Sequence, residues 1–158
     1  MAIEGNNDTG PSRVEALVAL HSDIVNFGDE SDAVGEDWLA MAEERLGVSF
    51  TPSYRWYLKR YKGGEICGEE IFSVYGVDFD SVSGGDIVHQ HLLDVSAGLM
   101  PGHALVVSRT DVGEVFYFDY AKQDGEEVPI RLRLPSGKSE YYASNFYEFL
   151  ARRISCYL

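Results

Sequence analysis

Basic residues are scarce in this chain. Its 158 residues hold 13 Lys and Arg against 26 Asp and Glu, a formal charge of −13, and the isoelectric point is near 4.6. Such a chain repels phosphate backbones and anionic lipid surfaces, so direct nucleic-acid or membrane-surface binding is not expected. A basic partner is the electrostatically natural one. Cysteine is scarce too: Cys67 and Cys156 are the only two, too few for a disulfide framework. The expected setting is cytoplasmic, with both thiols reduced. No apolar run reaches the ~18 residues needed to cross a bilayer. Residues 1–10 have neither a basic start nor an apolar stretch, so no signal peptide is expected there. What the chain does have is apolar and aromatic mass. Hydrophobic residues make up 45% and aromatics 13%, including ten Tyr and eight Phe. That is ample for a packed core, and the length fits one domain rather than two.

The acidity is uneven. Residues 1–50 carry 11 acids and two bases, whereas the rest is nearly balanced. Residues 1–10 are expected to form a disordered tail, with one domain over 11–158. Ser12 and Glu15 form a Ser-x-x-Glu capping pattern, and Val14, Leu17, Val18, His21 and Val25 follow at helical spacing. The segment Gly28–Gly35 is an acidic loop. A second helix is expected from Glu36 to Leu46, lined by Leu39, Ala42 and Leu46 and stopped by Gly47. A third has Thr51 as its cap, Pro52 at its first position and Gly63 at its close, with Tyr54, Tyr57, Leu58 and Tyr61 on one face. Ile71–Val77 reads as strand, and Val88, His91, Leu92 and Val95 as a helix ending at Gly98. His103–Ser108 and Glu114–Tyr120 form a hairpin around Asp111 and Gly113. Val128–Leu134 alternates as a strand with one solvated face, Tyr141-Tyr142 adds a short strand, and a last helix starts near Ser144. Short turns between consecutive strands imply antiparallel pairing. The expected fold is α+β, with a mainly antiparallel sheet flanked by helices.

The usual constellations of catalysis are missing. His89 and His91 point apart on a helix and cannot share a metal. His21 reads as a core histidine, and His103 has no evident role. Ser136-Gly137-Lys138-Ser139 imitates the end of a phosphate-binding loop, but position 132, where the motif requires Gly, is Leu within a strand. Gly63-Gly64 and Gly68 follow a helix rather than a strand, so they form no dinucleotide fingerprint. Cys67 lies among Glu65, Glu69 and Glu70, which disfavour a thiolate. Adjacent carboxylates such as Glu43-Glu44 diverge on regular elements. No catalytic residue, metal or cofactor is expected. One loop stands apart: Tyr75–Asp86 combines Phe79 with Asp78, Asp80 and Asp86 among small residues. Acids around an aromatic suit a basic protein partner, and these four are the candidate contact residues. The same composition also fits a plain polar connection.

The run from Trp38 through Glu43-Glu44, Leu46-Gly47, Phe50, Pro52, Tyr54, Trp56 and Leu58 to Gly63-Gly64 resembles the signature of the SUKH superfamily. That family includes Smi/Knr-type cell-wall-assembly regulators and many bacterial immunity proteins. Gly102–Val107, Gly113–Asp119, Val128-Pro129-Ile130 and Ala143–Leu150 fit in order, so the likeness spans about residues 36–152. Phe50 stands where the family prefers Leu. Through Ser53-Tyr54, Trp56 and Leu58 and the acidic turn before Val128, the chain resembles the YobK-type antitoxins of that family. The resemblance implies a non-enzymatic protein that binds and neutralises a cognate toxin, often a nuclease with a basic surface. The alternative it implies is a regulatory interaction module of the cell-wall-assembly type.

Overall fold

The computed structural model describes residues 10–158. The tail expected at residues 1–10 therefore lies outside the described residues, apart from Gly10. Helix α1 (Pro11–Leu20) starts with proline at its first position, and no side chain caps it. The Ser12–Glu15 capping pair is not formed. Proline supplies a helical φ and has no N–H to leave unpaired, so the helix begins one residue earlier than expected. It also ends earlier. His21 leaves the helical conformation, and Val25 belongs to strand β1 (Val25–Phe27) rather than to the helix face.

Helices α2 (Glu36–Leu46) and α3 (Pro52–Tyr61) follow the sequence closely. Gly47 ends α2 in the left-handed conformation, with φ 75°. Thr51 caps α3 by accepting a hydrogen bond from Tyr54 N–H at 3.1 Å. Tyr54, Tyr57, Leu58 and Tyr61 are all buried. The left-handed residue that closes α3 is Lys62, with φ 70°, and not the expected Gly63. The glycine pair has another use. Strands β2 (Gly64–Ile66) and β3 (Glu69–Ile71) form a hairpin, and β2 also pairs antiparallel with β1. A Cβ on Gly64 would lie 2.3 Å from the Asn26 carbonyl oxygen and 2.6 Å from Phe27 Cα. Only glycine lets β1 approach.

The strand expected at Ile71–Val77 is a correction: only Ile71 lies in β3. Beyond it the chain runs past the second sheet. Phe72 N–H donates to the Val107 carbonyl at 2.8 Å, and Ser73 forms a parallel bridge with Asp86. The loop to Asp86 leads into helix α4 (Ile87–Ser96). The second sheet is an antiparallel meander of β4 (Ala104–Arg109), β5 (Val115–Asp119), β6 (Ile130–Arg133) and β7 (Ser139–Ala143), in that order. Leu105 opposes Phe118, and Phe116 opposes Leu132. Helix α5 (Phe146–Ser155) is capped by Asn145, whose side chain accepts from Glu148 N–H at 2.9 Å. The fold is α+β with two antiparallel sheets and five α-helices among the described residues.

Aromatic rings hold the centre. Tyr54 meets Phe50, Phe118 and Phe146 edge-on, at centroid distances of 5.2, 5.3 and 4.9 Å. Its hydroxyl donates to the Phe72 carbonyl at 2.7 Å, so the buried phenol is satisfied. Several residues of the recognised signature are structural. The Glu43 carboxylate accepts from Phe50 N–H at 2.7 Å. Ser53 Oγ donates to Glu127 at 2.7 Å and accepts from Phe146 N–H at 2.9 Å, which ties the β5–β6 connection, α3 and α5 together.

One buried group makes stability depend on pH. His91 on α4 is 8% exposed, and its Nδ1 has no hydrogen-bond partner. Burial holds its pKa below the ordinary 6.5, although Asp94 pulls the other way. An unfolded chain therefore takes up this proton at a higher pH than the folded one. The associated stability is intact above about 6.5 and is lost as pH falls towards the folded value. Burial also raises the pKa of Asp94 above 3.8, against the opposing effect of Arg109, which contributes the opposite sign at lower pH. Urea unfolding at pH 7.5 and 5.5 should show a loss of stability in the parent and a smaller loss in His91→Gln. Equal losses in the two would show that other groups carry the pH dependence.

Candidate functional site

The loop singled out in the sequence closes on helix α2. Gly76, with φ 77°, makes this possible, since a Cβ there would lie 2.7 Å from Val34 Cγ1. Phe79 then meets Trp38 edge-on, with ring centroids 5.7 Å apart at 90°. Trp38, Met41, Glu44, Arg45, Asp78 and Phe79 line a cleft of about 520 Å³. Met41 is 45% exposed, and Val77 beside the cleft is 47% exposed. Two apolar side chains thus stand half in solvent beside one cleft, which makes it a candidate for recognition.

The four candidate contact residues divide. Asp78 and Asp80 are exposed on the rim. Asp78 Oδ1 accepts from Asp80 N–H at 3.0 Å, which fixes the turn. Asp80 accepts from Arg45 Nη2 at 2.6 Å across the mouth of the cleft, and that hydrogen bond raises the Arg45 pKa. Phe79 is only 9% exposed and forms the inner wall. Asp86 is the correction, because it is fully buried. Its Oδ1 caps α4 by accepting from Val88 and His89 N–H, and its Oδ2 accepts from Tyr75 N–H at 3.0 Å. No partner can touch it while the fold is intact, so Asp86 is a structural residue of this loop.

Sequence reasoning missed Trp38, Met41 and Arg45. They recur at i, i+3 and i+7 on α2, beside the buried stripe of Leu39 and Ala42. That second stripe was the signal available. Charge in and around the cleft is unbalanced: Glu44, Asp78 and Asp80 face the single cation Arg45. Among the described residues, neither Glu44 nor Asp78 forms an ion pair.

A larger cleft, about 1030 Å³, lies along α5 and the second sheet. Its two α5 arginines already have internal partners. Arg153 pairs with Glu69, and Arg152 stacks on the Tyr142 ring and donates to the Tyr142 carbonyl. Size alone therefore does not select it as the site. Cys67 and Cys156 are exposed and free. Among the described residues, no three His, Cys, Asp or Glu side chains are grouped to hold a metal ion, and no helix is long and apolar enough to cross a membrane.

Residues 36–150 match a family model described as SMI1-KNR4 cell-wall, SUKH_6. The match runs from the first residue of α2 into α5, so it includes both walls of the cleft. No curated protein matches the chain.

Proposed function

The chain belongs to the SMI1-KNR4 family of the SUKH superfamily, and on that premise we propose that it works by binding a protein and not by catalysis. The partner is a toxin with a basic surface, most simply a nuclease, and the chain is its cytoplasmic immunity protein. The observation that carries this reading is the α2–loop cleft, with its apolar centre and excess of carboxylates, on a chain of charge −13. Nucleases need basic surfaces to hold their substrates. An acidic inhibitor is steered to such a surface, and an apolar anchor then holds the complex.

The test is co-expression with a toxin domain encoded beside this gene. The parent should restore growth, and purified protein should bind the toxin domain with no turnover of its own. Association should slow steeply with added salt, because screening sets in over ~10 Å at 0.1 M. Asp78→Asn with Asp80→Asn should slow association, and Met41→Ala should mainly speed dissociation. Asp86 is left unchanged, since its replacement would unseat α4. Should the parent protect against no neighbouring toxin, the immunity reading falls. The cell-wall description of the matched family then favours the second reading, a regulatory protein-interaction module.

A further inference from the structure

The cleft between α2 and the Val77–Asp80 turn already shows which chemistry it accepts. Arg45 reaches across its mouth to Asp80, so a guanidinium fits against that carboxylate. The pair is exposed at both ends, 41% for the arginine side chain and 73% for the aspartate. An exposed ion pair of this kind adds little to folding stability and is readily exchanged. Asp78 stands two residues from Asp80 with its orientation set by the turn, and Glu44 on α2 lines the same cleft. Arg45 thus answers one of three carboxylates. Below them lie Trp38 and Phe79 and the exposed sulfur chain of Met41. Aromatic rings under a carboxylate rim match the two sides of one side chain. A planar guanidinium forks onto carboxylates while stacking on rings, which a lysine ammonium cannot do.

We infer that this cleft takes an arginine side chain of the partner protein, flanked by apolar residues, and that the incoming guanidinium displaces Arg45 from Asp80. The inference rests on the protein-binding reading above. Arg45 acts as an internal stand-in that holds the mouth of the cleft in shape and leaves when a better-placed guanidinium arrives. Removing Arg45 should therefore strengthen binding, whereas removing Asp80 should weaken it. A bridge that was itself the recognised surface would make both changes harmful.

Isotope-labelled protein is titrated with the blocked peptide Ala-Leu-Arg-Leu-Ala, and with versions carrying norleucine or Glu in place of Arg. The Arg peptide should shift the Trp38 indole and the Val77–Asp80 amides, and the other two should bind far more weakly. Asp80→Asn should weaken the Arg peptide about tenfold, the loss expected for one charged hydrogen bond. Arg45→Met should strengthen it about threefold, as release of an exposed pair allows. Both variants should keep the parent's melting temperature within about 2 °C, which separates binding from folding. Shifts confined to another surface, equal binding of the norleucine peptide, or weaker binding by Arg45→Met would each overturn the inference. The same two variants are then assayed for protection against the neighbouring toxin. Peptide binding by a parent that fails to protect would sink the immunity reading and leave the cleft standing. Protection by a parent whose cleft binds no Arg peptide would do the reverse.

Discussion

Leu58→Ala should destabilise the protein by about 2–5 kcal/mol, the cost of truncating a buried leucine and leaving a cavity. Its neighbour Lys59→Ala should cost under ~0.5 kcal/mol. The contrast follows from the rotation of α3. Leu58 is 2% exposed and belongs to the same buried stripe as Tyr54, Tyr57 and Tyr61. Lys59 projects from the other side, where it pairs with Glu36, and Glu36 keeps a second partner in Arg55 at 2.6 Å when the lysine is lost. Urea unfolding should show a lower midpoint for Leu58→Ala with an unchanged slope, the mark of lost stability without a change in the exposed surface. Similar losses in the two variants would place the buried face of α3 elsewhere.

The second large effect concerns a charge pair that joins distant parts of the chain. Arg153 in α5 donates to Glu69 in β3 at 2.5 Å, and the side chains are only 6% and 16% exposed. The guanidinium also lies over the Phe116 ring at 4.5 Å. Burial opposes its charge, yet the bond to Glu69 holds its pKa above the ordinary arginine value. Glu69→Gln keeps the shape and removes the counter-charge, leaving a buried cation. That should cost about 3 kcal/mol. The double variant Glu69→Leu with Arg153→Met should recover most of the loss, because neither charge is then left in the interior. A double-mutant cycle on unfolding free energies measures the coupling. A cost under ~1 kcal/mol for Glu69→Gln would mean that water in the adjoining cleft solvates Arg153, as it does an exposed pair.

Local signals along the chain determined much of the architecture. Thr51-Pro52 set the start of α3, Gly47 set the end of α2, and the alternation of Ile130 and Leu132 set the buried face of β6, because caps, backbone freedom and side-chain period are properties of neighbouring residues. Elements whose existence depends on a remote partner were not legible. β1, β2 and β3 are three-residue strands. Val25 is held there by Ile66, some forty positions away, and nothing near Val25 announces that pairing. The candidate site divides in the same way. The sequence alone placed an aromatic among acids at Asp78–Asp80. Only tertiary structure brought Trp38, Met41 and Arg45 to meet them, turned Asp86 inward to cap α4, and so distinguished the carboxylates that solvent and a partner can reach from the one that the backbone has taken. Side-chain type and spacing are written locally, whereas burial and juxtaposition follow from which distant surfaces pack together.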